Sequence, residues 1–319
     1  MPTSETIPSG SDSSASASTP AAASREKLLP GSAVTIGLLI GSTFVVLLNE
    51  TLLGVALPTL IDDLDITPTA GQWLTTAYLL TLAVLIPTTG FVMQRFHLRT
   101  IFMSAMSLFI LGTAVAAAAP GFEVLLLGRI VQASATAIFL PLLMTTTMRL
   151  VPAGRRGQMM AFAVAVPAVA PAVGPAVSGI VLSELHWRWL FVLMLPVALL
   201  ALALGARNLL NATTPEPVAL DVTSVVLSAI GFGGLVYGLA SIGESVSGHG
   251  AVSPYLPLAI GVAGIAAFVY RQVRMQRSGT PFLDVRVFAD RAFSLPLAIT
   301  VLVALVCLGQ LIVLPLVLT

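Results

Sequence analysis

Long apolar runs separated by short polar segments make up most of this chain. Nine stretches come near or reach the roughly 20 apolar residues that an α-helix needs to cross about 30 Å of hydrocarbon. They are Val34–Leu57, Gln72–Met93, Thr100–Ala118, Val124–Met148, Met159–Leu182, Leu190–Ala206, Val222–Ile242, Tyr255–Tyr270 and Phe293–Leu318. The pattern predicts an all-α integral membrane protein with nine membrane-spanning helices.

Basic residues lie mainly in every second loop, which places them on one side of the membrane. Of fifteen Lys and Arg, only Arg129 and Arg188 do not belong to one common side, while the opposite loops carry acids such as Asp63 and Glu184. Cytoplasmic loops of membrane proteins are enriched in Lys and Arg. We therefore expect a multi-pass protein of the plasma membrane with a cytoplasmic amino terminus.

The composition of the whole chain adds further limits. Charged residues make up 9% of the chain and apolar residues 57%, against about 25% charged in soluble domains. Residues 1–32 are rich in Ser, Ala, Thr and Pro, which predicts a disordered cytoplasmic tail. Because Cys307 is the single cysteine, we expect no intramolecular disulfide and no metal site. We also expect no nucleic-acid partner and no cofactor.

Two ionisable side chains lie well inside apolar spans. Counted at 1.5 Å per residue, Glu50 is about 11 Å below the outer end of the first span, which Pro58 is expected to close, and Arg129 is about 9 Å deep in the fourth. A charge in hydrocarbon is costly unless it is paired or faces water, so such residues are functional candidates by default. The matching depths allow the two to meet if their helices are neighbours.

Two readings of this pair stay open. It is either a structural salt bridge that fixes helix packing, or a site of proton exchange in which Glu50 binds and releases the proton while Arg129 stays charged. The polar neighbours Asn49, Thr51 and Gln132 favour proton exchange.

The fifth span has an unusual pattern, PAVAPAVGPAVSG. Ala170, Gly174 and Ser178 recur every four residues and would line one helix face, which permits close approach of another helix. Three prolines at the same spacing predict a kink, because each removes a backbone hydrogen bond.

Other features are less specific. Trp73, Trp187 and Trp189 are expected near the outer interface, where indoles usually act as membrane anchors. In the 271–292 loop, apolar residues at helical spacing fit either a short helix on the membrane surface or a solvated connector. No HExxH, GxSxG, phosphate-loop or CxxC pattern is present, so an enzyme is not expected.

Several segments in order resemble the major facilitator superfamily, in particular its fourteen-span drug:proton antiporters of the EmrB/QacA type and their lincomycin-resistance-like branch. The resemblance lies in LNETLLGVALP, QWLTTAYLL, LLLGRIVQASATA, GPAVSG and HWRWLFVLMLP, and it covers about residues 33–319. The loop GFVMQRFHLRT keeps part of the superfamily's gating motif, although Gln94 replaces the usual Asp and His97 a usual Gly.

The resemblance implies roles for individual residues. Glu50 and Arg129 take the proton-coupling positions. The remaining positions are Asn49, Trp73, Tyr78 and Gln132 for the substrate cavity, Gly90, Gln94, Arg95 and Arg99 for the gating loop, and Ala170, Gly174, Pro175, Ser178 and Gly179 for the antiporter motif.

The resemblance also implies a division of the chain. Residues 33–210 would form an amino-terminal six-helix bundle of the major facilitator fold, 211–275 a two-helix linker, and 276–319 an amphipathic connector with the first span of a carboxyl-terminal bundle. A fourteen-span protein would have five further spans, so we expect the second bundle to be incomplete here.

The predicted function is proton-coupled efflux of lipophilic drug-like molecules, driven by the proton gradient. One alternative is a non-transporting fragment or a half-transporter that needs a second half or self-association. Another is an uptake symporter, which the fifth-span motif disfavours.

Overall fold

The computed structural model describes residues 31–211, 221–246, 255–277 and 288–303, and all the regular structure in these ranges is helical. The helices are α1 (Ser32–Asp63), α2 (Pro68–Arg95), α3 (Leu98–Ala117), α4 (Phe122–Leu150), α5 (Ala153–Ala168), α6 (Ala170–Glu184), α7 (Arg188–Asn208), α8 (Val222–Val246), α9 (Tyr255–Arg277) and α10 (Arg291–Val303). The predicted tail, except its last two residues, lies outside the described residues. So do most of the predicted amphipathic connector and the second half of the ninth span.

Eight of the nine predicted spans are confirmed as helices long and apolar enough to cross a membrane, with α5 and α6 together forming one of them. In the described residues the ninth is a shorter apolar helix, α10. In the fifth span, where the prolines predict a kink, the regular helix is interrupted at Val169, between α5 and α6.

The expectation that Pro58 closes the first helix is wrong. α1 continues through Pro58 to Asp63, so Glu50 lies about 20 Å from the helix end at 1.5 Å per residue. A proline removes one backbone hydrogen bond. Here the helix continues on both sides of the missing hydrogen bond. The distance to Pro58 therefore does not measure how deep Glu50 lies in the membrane.

Helices α1, α3, α4 and α7 surround the main apolar core, to which Phe102, Phe109 and Phe139 contribute fully buried rings. Two glycines bring α3 and α4 together. A β-carbon added at Gly112 would lie 2.8 Å from the backbone nitrogen of Gln132, and one at Gly128 would lie 2.9 Å from that of Ala116. Only glycine permits this approach, and it occurs next to Arg129 on α4.

The helices α8 and α9 form a tightly packed hairpin. A β-carbon at Gly234 would lie 2.7 Å from the Cα atom of Gly261, so the two backbones are in contact. At one end of the hairpin, Arg271 donates from Nη2 to Asp221 at 2.9 Å and from Nε at 3.2 Å. The hairpin rests on α2, where the rings of Trp73 and Tyr237 are 5.7 Å apart.

The prediction of a membrane-interface anchor is wrong for Trp187. Its side chain is 1% exposed, and its indole nitrogen donates to Asp63 at 2.8 Å. His186 lies 3.2 Å from the same carboxylate, and Arg188 donates to the carbonyl of Ala119 at 2.8 Å. These contacts join the ends of α1, α3 and α7. The hydrogen bond to Asp63 satisfies the indole N–H, so Trp187 can be buried inside the protein.

Candidate functional site

Arg129 is the centre of a buried polar cluster on α4. Its side chain is 1% exposed, and its Nη1 donates to Oε1 of Gln132 at 3.0 Å, one turn further along the helix. Gln132, which is fully buried, donates from Nε2 to Thr113 of α3 at 2.9 Å. The threonine in turn donates to the carbonyl of Phe109 at 2.7 Å. The guanidinium is therefore held in one orientation by a chain of hydrogen bonds.

Tyr78 of α2 covers Arg129. The guanidinium carbon of Arg129 lies 4.1 Å from the centre of the Tyr78 ring, which is a cation–π distance. The Tyr78 hydroxyl donates to Oγ1 of Thr136 at 2.9 Å, and Thr136 donates to the backbone carbonyl of Gln132 at 2.9 Å. Tyr78 thus links α2 to α4 at two positions, with its ring at Arg129 and its hydroxyl at Thr136.

Glu50 of α1 is half-buried and lies beside the Tyr78 hydroxyl, with which its carboxylate interacts, and it is also attracted electrostatically by Arg129. The two charges do not touch. Within the described residues, the ion pairs with an N–O distance up to 4.0 Å are His186–Asp63, Arg188–Asp63 and Arg271–Asp221. The structure therefore brings Glu50 and Arg129 close enough for electrostatic attraction without an ion pair, and Tyr78 lies near both.

Two buried donors near this cluster have no hydrogen-bond partner, namely Nε of Arg129 and Nδ2 of Asn49. A buried unsatisfied donor costs about 1–3 kcal/mol. Asn49 is 2% exposed and Tyr78 is 1% exposed. In this conformation both residues belong to the interior of the helix packing rather than to an open surface.

The small-residue face of the fifth span packs directly beside Glu50. The hydroxyl of Thr51 lies 3.3 Å from the carbonyl of Ala170, and Ser178 donates to the carbonyl of Leu52 at 3.1 Å. A β-carbon at Gly174 would lie 2.2 Å from the Thr51 hydroxyl oxygen. The predicted face formed by Ala170, Gly174 and Ser178 is therefore the surface on which α6 contacts α1.

The remaining antiporter-motif positions lie off this contact. A β-carbon at Gly179 would meet no atom within 4 Å. Pro175 lies inside α6 on an exposed position.

The gating-loop residues lie at the junction of α2 and α3. Arg99 donates to the carbonyl of Ala206 near the end of α7, where a cation also interacts favourably with the helix dipole. Arg95 lies over the ring of Phe91 at 5.9 Å, and Gln94 is exposed. Gly90 is half-buried near the end of α2.

Trp73 lies away from the cluster, because it contacts Tyr237 of α8. Thr113 and Thr136, in contrast, are part of the cluster and were not expected from the sequence. Thr136 follows Gln132 by four residues, so helical periodicity could have indicated it. Thr113 is on another helix, and only the close approach at Gly112 brings it to Gln132.

A set of membrane-length helices with a buried Arg–Tyr–Gln cluster and a nearby carboxylate defines a multi-pass membrane protein with an intramembrane polar site. The sequence model of the Major Facilitator Superfamily matches residues 39–319. The chain belongs to this superfamily, whose members are transporters and not enzymes.

Similar proteins agree with this assignment. An MFS-type transporter of Bacillus subtilis, YcnB, is 39% identical over 283 residues, which is 89% of this chain and 59% of the relative. The lincomycin resistance protein LmrB of Listeria monocytogenes is 38% identical over 273 residues, covering 86% of this chain and 57% of its own length. LmrB of Bacillus subtilis is 37% identical over 294 residues, covering 92% and 60%. The chain thus spans less than two thirds of the length of these relatives.

Proposed function

We propose that this chain forms the amino-terminal part of a proton-driven drug exporter, in which Glu50 exchanges a proton against a drug-like substrate. The observation that carries the proposal is the state of Glu50. It is a half-buried carboxyl in a membrane helix, beside a hydroxyl and attracted by a buried arginine, and it forms no ion pair at 4.0 Å or less with any of the described residues. A direct salt bridge would favour the ionised form of a carboxyl and oppose its protonation. Glu50 is not held in this way and can bind a proton more readily.

Arg129 supplies the fixed positive charge of the site. Arginine does not give up its proton in proteins, and here three groups hold it in place: Gln132, Tyr78 and the close packing of α3 on α4. A movement of α1 relative to α4 would change the field of Arg129 at Glu50 and so change the tendency of the carboxyl to bind a proton. The membrane potential contributes about 2.3 kcal/mol per charge per 100 mV, which suffices to give such a cycle a direction.

The contact of α6 with α1 supports this coupling. Thr51 and Leu52 follow Glu50 directly and carry the contacts to Ala170 and Ser178. The break at Val169 lies at the end of this contact. A change of angle at the break would therefore act on the segment of α1 that carries the carboxyl.

Substrate and location complete the proposal. The resistance proteins among the relatives suggest a lincomycin-type or other lipophilic drug-like substrate, and the distribution of basic residues supports a plasma-membrane protein with its amino terminus in the cytoplasm. Asn49, Tyr78 and Gln132 would reach the substrate only in a conformation more open than the described one, since all three are buried.

The test compares Glu50→Gln with wild type in inverted membrane vesicles. The chain would be expressed alone and also extended through the reading frame that follows codon 319. In the wild type we expect that addition of lincomycin discharges part of a preformed pH gradient, and that Glu50→Gln abolishes this while the protein level in the membrane is unchanged. Glu123→Gln, at an exposed acid in the first turn of α4, is the matched control and should behave as wild type. Drug efflux in Glu50→Gln that still discharges the gradient would refute the assignment.

A second candidate is a half-transporter that works only with a partner chain, because the chain spans 57–60% of its relatives. Alternating access in this fold uses two bundles. Cross-linking of the 319-residue chain in native membranes would then give a defined dimer or heteromer, and lincomycin resistance would depend on the partner. A monomer that confers resistance by itself would exclude this candidate.

A further inference from the structure

Tyr78 is close to both charged residues of the site. Its ring lies against the guanidinium of Arg129 at 4.1 Å, and its hydroxyl donates to Oγ1 of Thr136 at 2.9 Å, with the Glu50 carboxyl near enough to interact with it. We propose that Tyr78 is a positioning residue that transmits the protonation state of Glu50 to α4, by switching its hydroxyl proton between Thr136, which is its acceptor in the structure, and the ionised carboxylate of Glu50. This proposal rests on proton exchange at Glu50.

The chain of hydrogen bonds has two arrangements because Tyr78 has a single hydroxyl proton. When Glu50 is protonated, its O–H donates to the Tyr78 oxygen, Tyr78 donates to Thr136, and Thr136 donates to the carbonyl of Gln132. The last two bonds of this arrangement are those in the structure. When Glu50 is ionised, its carboxylate accepts the Tyr78 proton, since a hydrogen bond to a charged group is the stronger one.

In the ionised arrangement the Thr136 hydroxyl must turn from Gln132 to the Tyr78 oxygen. The backbone carbonyl of Gln132, whose side chain holds Arg129, then loses this bond. No covalent bond changes and no proton leaves Tyr78 or Thr136, so only hydroxyl rotation is needed. The ring of Tyr78 meanwhile covers the guanidinium of Arg129.

Among the described residues, the ionisable groups that act on Glu50 are Arg129 of α4 and Tyr78 of α2. α6 presents Ala170, Gly174 and Ser178 to the adjoining segment of α1, and the arginines of α5 and α7 lie near the ends of their helices.

The test measures the carboxyl stretching band of Glu50 by infrared difference spectroscopy, with the full 319-residue chain in lipid vesicles titrated over pH. Glu50→Gln identifies the band by removing it. In Tyr78→Phe the ionised form loses its donor, so the pH of half-titration should rise by about one unit, and the band should move to higher wavenumber. In Thr136→Val the Tyr78 hydroxyl retains only Glu50 as acceptor, so the pH of half-titration should fall.

Two further variants separate this effect from general damage. Thr136→Ser keeps the hydroxyl and should restore the wild-type titration. Thr147→Val removes a buried hydroxyl of the same helix that donates to its own backbone at 2.8 Å, outside the cluster, and should leave the titration unchanged. Shifts in the same direction for Tyr78→Phe and Thr136→Val, or no shift in either, would overturn the proposal. A Glu50 band that does not titrate at all would instead refute proton exchange itself.

Discussion

Gly174 faces the hydroxyl of Thr51 so closely that a β-carbon at Gly174 would lie 2.2 Å from the threonine oxygen and 2.7 Å from its Cβ. Neither distance is possible for a real side chain. The helix that follows the break at Val169 therefore approaches α1 to a distance that only glycine allows, one residue after Glu50.

Gly174→Ala should destabilise the protein, because overpacking of a close helix contact costs about 1–3 kcal/mol. The measurement is the thermal stability of the detergent-solubilised chain, followed by size-exclusion fluorescence. Gly179→Ala is the matched control. No atom lies within 4 Å of an added β-carbon there, and alanine favours a helix by up to about 1 kcal/mol.

A second change tests the contact itself. Thr51→Ala removes the oxygen at 2.2 Å but leaves the carbon at 2.7 Å, so it should restore only part of the stability of Gly174→Ala. Equal stability of Gly174→Ala and Gly179→Ala would contradict the packing described for α6.

Periodicity and length were sufficient to predict the helices and the shared face of Ala170, Gly174 and Ser178, because both depend on local sequence. They were insufficient for the end of α1, since Pro58 does not stop a helix whose other backbone bonds are intact. They also misplaced Trp187. Its burial depends on Asp63, which lies more than 120 positions away in the chain and meets it only in the folded bundle.

The site shows the same division. Glu50, Arg129 and Gln132 were predicted from the sequence, because charge and polarity in an apolar span are visible there. The central place of Tyr78 and the part played by Thr113 depend on which helix faces are in contact. For Thr113 that contact is set by Gly112 and Gly128, which allow α3 and α4 to approach each other closely.

Arg129→Lys should impair proton-coupled transport although the charge is kept. Lysine lacks the planar group that lies on the Tyr78 ring and donates to Gln132. The loss of its donor would leave Oε1 of Gln132 without this partner, at a cost of about 1–3 kcal/mol. Drug-induced discharge of the pH gradient and thermal stability would both be measured. Wild-type values in both would mean that Arg129 acts only as a positive charge.

Asp63→Ala should reduce stability by about 1–3 kcal/mol, because the buried indole N–H of Trp187 would lose its acceptor. The change also separates Asp63 from His186 and Arg188. Asp62→Ala is the control, since that neighbouring acid is exposed and takes part in none of the ion pairs of the described residues. In the Trp187→Phe protein, Asp63→Ala should cause a much smaller loss of stability than it does in the wild type. An equal loss in both would mean that the indole is not the group responsible.

The ion pair of Asp221 and Arg271 predicts a pH dependence at the end of the α8–α9 hairpin. The hydrogen bonds from Arg271 hold the pKa of the Asp221 carboxyl below its ordinary value of 3.8. A carboxyl with a lowered pKa in the folded state contributes stability above its unfolded pKa and loses that contribution as the pH falls through the folded pKa. Asp221→Asn should therefore lower the melting temperature at neutral pH, and the difference from wild type should shrink below about pH 4. Asp62→Asn should show neither effect. A difference between wild type and Asp221→Asn that stays constant down to the lowest pH at which the protein is folded would mean that Asp221 acts without its charge.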